Sequence, residues 1–170
     1  MYCRRFIFAF LILAISSTAM AVGSLPFWIW HADKQAKAEE LFLRRQFHVS
    51  NRVRSAELLL ARDSIGAVFL NGKRLVTKDG RIDVTSHLRL GRNVLAAKTR
   101  TAKQPGFIAL LVVTLTTGQR DVVLTDREWK TSVTAEPDWT GLDFDDAKWP
   151  AAKVLAPHGA KPWGDVLHRD

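Results

Sequence analysis

The chain alternates short apolar runs with turn-forming residues, and the spacing predicts strands. Over 41–49, Leu41, Leu43, Phe47 and Val49 share one face and Arg44, Gln46 and His48 the other. That period of two belongs to a half-buried strand, and Arg45 interrupts its apolar face. A second strand is expected over 56–61, although Leu58, Leu59 and Leu60 blur the alternation. Ala67-Val68-Phe69-Leu70, then Asn71-Gly72, then Lys73-Arg74-Leu75-Val76 predicts a hairpin, because both central positions of a tight turn favour positive φ. Asp83-Val84-Thr85 predicts a short capped turn before a strand over 93–99. Residues 107–115 are almost uniformly apolar, as expected of a strand buried on both sides or central in a sheet. Thr117-Gly118 then turns the chain into a strand over 121–125, and another is expected over 129–133. Pro137, Gly141 and Asp143-Phe144-Asp145-Asp146 predict a loop, with Asp145 or Asp146 capping a helical turn that ends near Trp149-Pro150. Val154-Leu155 reads as a last strand, and the polar, Ala-rich residues 31–40 as a loop or a single helical turn. About eight short strands with turns every ~8–12 residues indicate an antiparallel β-sandwich.

The N-terminus follows a different pattern. Arg4 and Arg5, the apolar run from Phe6 to Ile15, and Ala19-Met20-Ala21 have the three parts of a secretory signal peptide. The run is too short for a membrane span, which needs about 20 apolar residues. The expected division is a signal peptide over 1–21 and one domain over 22–170, exported to the periplasm or beyond the cell. No membrane span is expected once the signal is cleaved; retention as an anchor is the alternative. Removing 21 of 170 residues leaves 149, which suits one domain. It also removes the single Cys, so no disulfide, thiol nucleophile or Cys-based metal site is expected. All six Trp remain. Losing Arg4 and Arg5 takes the net charge from +8 to +6, which is still basic.

The order of several motifs carries a resemblance. Trp28-Ile29-Trp30 is followed by Arg44-Arg45-Gln46-Phe47, Ala61-Arg62-Asp63-Ser64 and Phe69-Leu70-Asn71-Gly72-Lys73. Asp83-Val84-Thr85, Leu90-Gly91-Arg92-Asn93-Val94-Leu95-Ala96 and Thr125-Asp126-Arg127-Glu128-Trp129-Lys130 come next. Phe144-Asp145-Asp146-Ala147-Lys148-Trp149 and Pro162-Trp163-Gly164 complete the series. From about residue 26 to 165 the chain resembles the galactose-binding-domain-like jelly roll, as found in the sugar-binding domains of α-L-rhamnosidases and glycoside hydrolase family 2 proteins. The resemblance implies an all-β, antiparallel jelly-roll sandwich that binds carbohydrate or serves as a scaffold, without catalysis. Similar domains often carry an aromatic between the Asp-Ser pair and the Asn-Gly hairpin. Ile65, Gly66 and Ala67 stand there instead, so no sugar-stacking role is expected on that strand.

Candidate chemistry follows from residue types. A Trp face stacks on the C–H face of a sugar. Trp139, in a polar loop, is the candidate, and covering one end of the sandwich is the alternative. Trp28, Trp30 and Trp163 are expected to close the domain where its termini meet, and Trp129 and Trp149 to be core. Arg44 and Arg127 are candidates for reaching ring hydroxyls or acidic groups, and Asp63 for orienting a hydroxyl or for forming a turn. Asp143, Asp145 and Asp146 supply oxygens, but their spacing does not match a Ca²⁺ loop, so no cofactor is expected. The five His show no metal-ligand spacing, and no nucleophile elbow is present. A glycosidase needs two carboxylates across a cleft, which one compact sandwich does not suggest. The basic side chains crowding the first two thirds suit an acidic polymer. In an exported protein an anionic polysaccharide or lipid headgroup fits better than nucleic acid; a purely solvating role for the charges is the alternative. The expected function is an exported non-catalytic carbohydrate-binding module, with an acidic glycan as the candidate ligand. The alternative is an envelope protein-interaction module docking a partner subunit such as a glycosidase.

Overall fold

Strand β1 (Phe27–Trp30) opens the fold, followed by β2 (Glu40–Val49), β3 (Val53–Leu60), β4 (Ile65–Leu70), β5 (Lys73–Leu75) and β6 (Arg81–Asp83). A 3-10 turn, Thr85–His87, precedes β7 (Gly91–Arg100), β8 (Ala109–Leu115), β9 (Arg120–Leu124), β10 (Lys130–Ser132) and β11 (Lys153–Pro157). These elements come from a computed structural model that describes residues 25–32, 40–61, 65–77, 79–100 and 105–167. The signal peptide expected over 1–21, Asp63 and most of the segment 31–40 lie outside the described residues. No helix among the described residues is long and apolar enough to cross a membrane.

The strands form an all-β antiparallel sandwich. One sheet has the order β10-β2-β7-β4-β5, the other β6-β3-β8-β9, and β1 pairs with β11 in a ribbon. The core lies between the two larger sheets. Leu41, Leu43, Val68, Leu70, Leu95 and Ala97 meet Leu58, Leu60, Leu111, Val113 and Leu115. Each large apolar side chain removed from water contributes about 1.5–3 kcal/mol. Trp129, fully buried, packs edge-on against Phe107 at 5.3 Å and donates its indole N–H to the Leu124 carbonyl at 2.8 Å.

The Asn71-Gly72 hairpin forms as expected, with φ of 53° and 81° at its two central residues. Asn71 does more than turn the chain. Its side chain accepts the Val94 N–H at 2.9 Å and donates to the His87 carbonyl at 3.0 Å, tying the turn to the start of β7. At the expected capped turn, the Asp83 carboxylate accepts the Thr85 N–H at 2.9 Å ahead of the 3-10 turn. Strand β8 occupies the predicted central position, between β3 and β9. Both its faces are apolar at one end, where Leu110 packs with Trp28, Leu59, Ile108 and Leu167 in a second cluster.

Trp28 and Trp163 stack at 5.1 Å with their planes 18° apart, which joins the first strand to the C-terminal segment. Two expectations change. The described residues hold more strands than the eight anticipated, because short ones such as β5, β6 and β10 carry too few residues to show a period. The turn before Trp149 is one hydrogen-bonded turn and not a helix: Asp145 accepts the Ala147 N–H at 2.9 Å, and the Trp149 N–H donates to the Asp146 carbonyl at 3.0 Å.

Candidate functional site

On β2, alternation sends Phe42, Arg44 and Gln46 away from the core. That outer face is covered by the loop between β10 and β11. Across the strands, Arg44 stands opposite Ala96, and Ala96 opposite Phe69. The small Ala96 side chain leaves room for the larger groups on either side. Arg44 is fully buried. Its Nε donates to Asp146 Oδ2 at 2.7 Å, Nη1 to the carbonyls of Trp139 at 2.9 Å and Gly141 at 2.8 Å, and Nη2 to the Phe144 carbonyl at 3.0 Å. The guanidinium also lies 5.2 Å from the centre of the Phe144 ring. Gln46 adds a donor to the same Asp146 oxygen at 3.2 Å. Arg44 is therefore not placed to reach a ring hydroxyl. Its donors go to loop carbonyls and one carboxylate, and it holds the loop on the sheet.

Trp139 is half-buried within this assembly. Its ring meets Phe42 and Phe69 edge-on at 5.2 and 5.7 Å and stacks over Trp149 at 6.2 Å. Trp149 is buried, with its indole N–H on Glu136 Oε1 at 3.0 Å. The Trp139 ring is thus one wall of an aromatic cluster that covers the sheet, with part of its surface left to solvent.

The other sequence candidates are separated from this cluster. Arg127 is exposed in the turn between β9 and β10. Its neighbour Glu128 pairs with Arg45, whose side chain leaves β2 on the face opposite Arg44. The three acidic residues serve three purposes: Asp146 holds Arg44, Asp145 holds a turn, and Asp143 meets Arg92 at 3.1 Å on the surface. Among the described residues, no group of three or more His, Cys, Asp or Glu is placed to hold a metal ion.

Two surface features stand out. The first is charge at one end of the sandwich. The Thr116 N–H bonds to the Arg52 carbonyl at 2.8 Å and Arg54 donates to the Thr116 carbonyl at 3.1 Å, so the β2–β3 and β8–β9 turns meet. The bond from Asn71 to His87 and the pairing of Val49 with Gly91 bring the β4–β5 turn and the start of β7 to the same end. Arg52, Arg54, Lys73 and Arg89 are exposed there, with no ion-pair partner among the described residues.

The second feature is a concave shelf of about 340 Å³ on the outer face of the four-stranded sheet. Ser55 and Glu57 come from β3, Asp83 from β6, Thr85 from the 3-10 turn, Val112 and Thr114 from β8, and Arg120 from β9. Glu57 stands between Asp83 and Val112 in the register, and Thr114 between Ser55 and Arg120. The Asp83 carboxyl sits below the ordinary aspartate range because the Thr85 hydroxyl and then the Thr85 N–H donate to it. Sequence reasoning missed the shelf. Its residues lie on four strands and a turn, and the pattern marks each of them simply as an outward polar or apolar position.

No family model matches the chain. An α-L-rhamnosidase of Streptomyces avermitilis is 32% identical over 157 residues, which is 82% of this chain and 15% of that protein. The crystal structure of an α-L-rhamnosidase from the same organism, complexed with L-rhamnose, superposes with a TM-score of 0.75 at 32% identity, over 84% of this chain and 16% of that one. A lectin from Pleurotus ostreatus, solved in complex with GalNAc, shares the fold at a TM-score of 0.66 and 23% identity, over 84% of this chain and 45% of the lectin. The chain thus spans about a sixth of the length of the rhamnosidases it matches. It is an antiparallel β-sandwich similar in sequence and fold to part of an α-L-rhamnosidase, and similar in fold to a lectin.

Proposed function

We propose that the chain is an exported, non-catalytic carbohydrate-binding domain whose ligand is an acidic glycan. The observation that carries the binding reading is the 32% identity with a limited part of a rhamnosidase, in a fold that a lectin also uses. A fold alone does not fix a function, so the surface must supply the rest. The acidic preference rests on Arg52, Arg54, Lys73 and Arg89, gathered at one end of the sandwich on adjoining turns and the strand ends beside them. Cations spaced over several adjoining segments suit a polymer that carries repeated carboxylates or sulfates. Such contacts weaken as salt screens them, over a Debye length of about 8 Å at physiological ionic strength. The non-catalytic reading is supported by the engagement of Asp145 and Asp146 with the chain's own turn and with Arg44, rather than with an opposed carboxylate. Export rests on the N-terminal pattern of Arg4, Arg5, the apolar run and Ala19-Met20-Ala21.

Affinity electrophoresis through gels containing neutral or acidic polysaccharides tests the reading. The expected result is retardation by acidic polysaccharides at low salt, relieved by salt and by the combined change Arg52→Gln, Arg54→Gln, Arg89→Gln. Free migration in every gel, together with an empty glycan array at low salt, overturns it. Retardation by neutral gels alone overturns the acidic preference.

A further inference from the structure

The shelf on the four-stranded sheet has its own chemistry. A sugar ring offers hydroxyls that both donate and accept, and a C–H face that is apolar. The shelf supplies the complement of each. Glu57 and Asp83 are acceptors when ionised, Arg120 is a donor, and the hydroxyls of Ser55 and Thr114 are both. Val112 is an apolar floor between them, and Val122, half exposed, stands beside it on β9. The volume of about 340 Å³ falls within the range of small-ligand sites.

The polar groups are partly committed in a way that leaves capacity outward. Asp83 Oδ1 is taken by the Thr85 N–H and Glu57 Oε1 by Arg81 at 3.1 Å. The Thr85 hydroxyl is pinned by the Ala56 N–H at 2.8 Å. Ser55, Thr114 and Arg120 make no side-chain hydrogen bond to another described residue. Glu57 and Asp83 are directly opposite each other on neighbouring strands, an arrangement in which like charges destabilise a sheet. Neutral hydroxyls donate to the remaining oxygens of both carboxylates, whereas an anionic group would be repelled by them. A Ca²⁺ ion wants six to eight oxygens, and here it would meet two partly used carboxylates flanked by Arg81 and Arg120.

We propose that this shelf seats a neutral sugar ring, held by hydroxyl donation to Glu57 and Asp83 and by Arg120, with its C–H face on Val112. It rests on the carbohydrate-binding reading and adds a second site to it, distinct from the basic end and opposite in charge preference.

The test is an amide-shift titration of the full chain, ¹⁵N-labelled, with free L-rhamnose, D-galactose and N-acetylgalactosamine at millimolar concentrations. At least one sugar is expected to move the amides of Glu57, Thr85, Val112 and Thr114. Ser55→Trp, at an exposed position, fills the shelf and is expected to weaken binding at least tenfold while the rest of the spectrum stays folded. The combined change Glu57→Gln, Asp83→Asn is expected to weaken it severalfold. Val133→Thr, exposed beyond β10 on the other sheet, leaves the titration unchanged. Sugar-dependent shifts confined to another surface, or undiminished binding by Ser55→Trp, overturn the shelf but leave the carbohydrate reading standing. Shifts at the shelf that Ca²⁺ alone reproduces, and that EDTA removes, make it a cation site and overturn the proposal. If no sugar binds here, and the polysaccharide gels are also negative, both readings fall together.

Discussion

Arg44 and Asp146, 102 residues apart in the chain, meet at 2.7 Å beneath the loop between β10 and β11. The pair is the covered end of a clamp that also takes the carbonyls of Trp139, Gly141 and Phe144. A loop has few backbone partners of its own, and one planar guanidinium with five donors supplies several of them at once.

Removing that guanidinium leaves three carbonyls without their donor and the partly buried Asp146 carboxylate with the longer Gln46 contact and no ion pair. Arg44→Ala is expected to cost about 3–5 kcal/mol of folding stability, the range for breaking a buried ion pair. Urea unfolding followed by Trp fluorescence measures it, with the Trp139 and Trp149 environment as reporter. A loss under about 0.5 kcal/mol, the usual size of a surface change, would mean that the loop is held by other contacts.

Gly106 lies against the stacked pair Trp28 and Trp163. A Cβ placed on it would come within 2.9 Å of Trp163 Nε1 and 2.9 Å of a Trp28 ring carbon. Neither ring is a flexible tip that can swing aside without opening the stack. Gly106→Ala is expected to cost about 1–3 kcal/mol, as overpacking does, and to change the near-ultraviolet circular dichroism of the Trp pair. An unchanged spectrum and midpoint would show that the C-terminal segment shifts freely.

Asp83 predicts a pH dependence. Its folded-state pKa is lowered, chiefly by the Thr85 hydroxyl, so the unfolded chain holds the proton more tightly than the folded one. The stabilisation is therefore complete above the unfolded-state pKa, roughly 4, and is lost as the pH falls through the folded-state value. Asp83→Asn should lower the urea midpoint at pH 6 and close the gap to the wild type at pH 2.5. A gap that persists in acid would assign the effect to hydrogen-bond geometry rather than to charge.

Much of the fold was legible along the chain. Asn71-Gly72 between apolar runs announced a hairpin because few residue pairs tolerate two positive φ values, and φ of 53° and 81° are those of such a turn. The uniform apolar run at 107–115 announced a strand buried on both sides or central in a sheet, and β8 lies between β3 and β9. Trp28 and Trp163 were expected to close the domain where the sandwich's first and last segments meet, and they stack. The β2 pattern was half right. Its core face is where the period placed it, but the polar face is not solvated around Arg44. A pattern of polar and apolar positions reports which face differs, not whether another segment will lie on top of it.

The residues themselves, then, determined the class of structure: local φ preferences, a period of two, and apolar runs long enough to build two facing sheets. Tertiary structure decided what each polar side chain is for. It put Arg44 at the centre of a loop clamp, sent Asp143, Asp145 and Asp146 to separate partners, and assembled Ser55, Glu57, Asp83, Thr114 and Arg120 into one shelf from four strands. The reason is physical. Backbone preference acts between neighbours in sequence, whereas hydrogen bonding and charge act between neighbours in space, and in an antiparallel sandwich those are commonly dozens of residues apart.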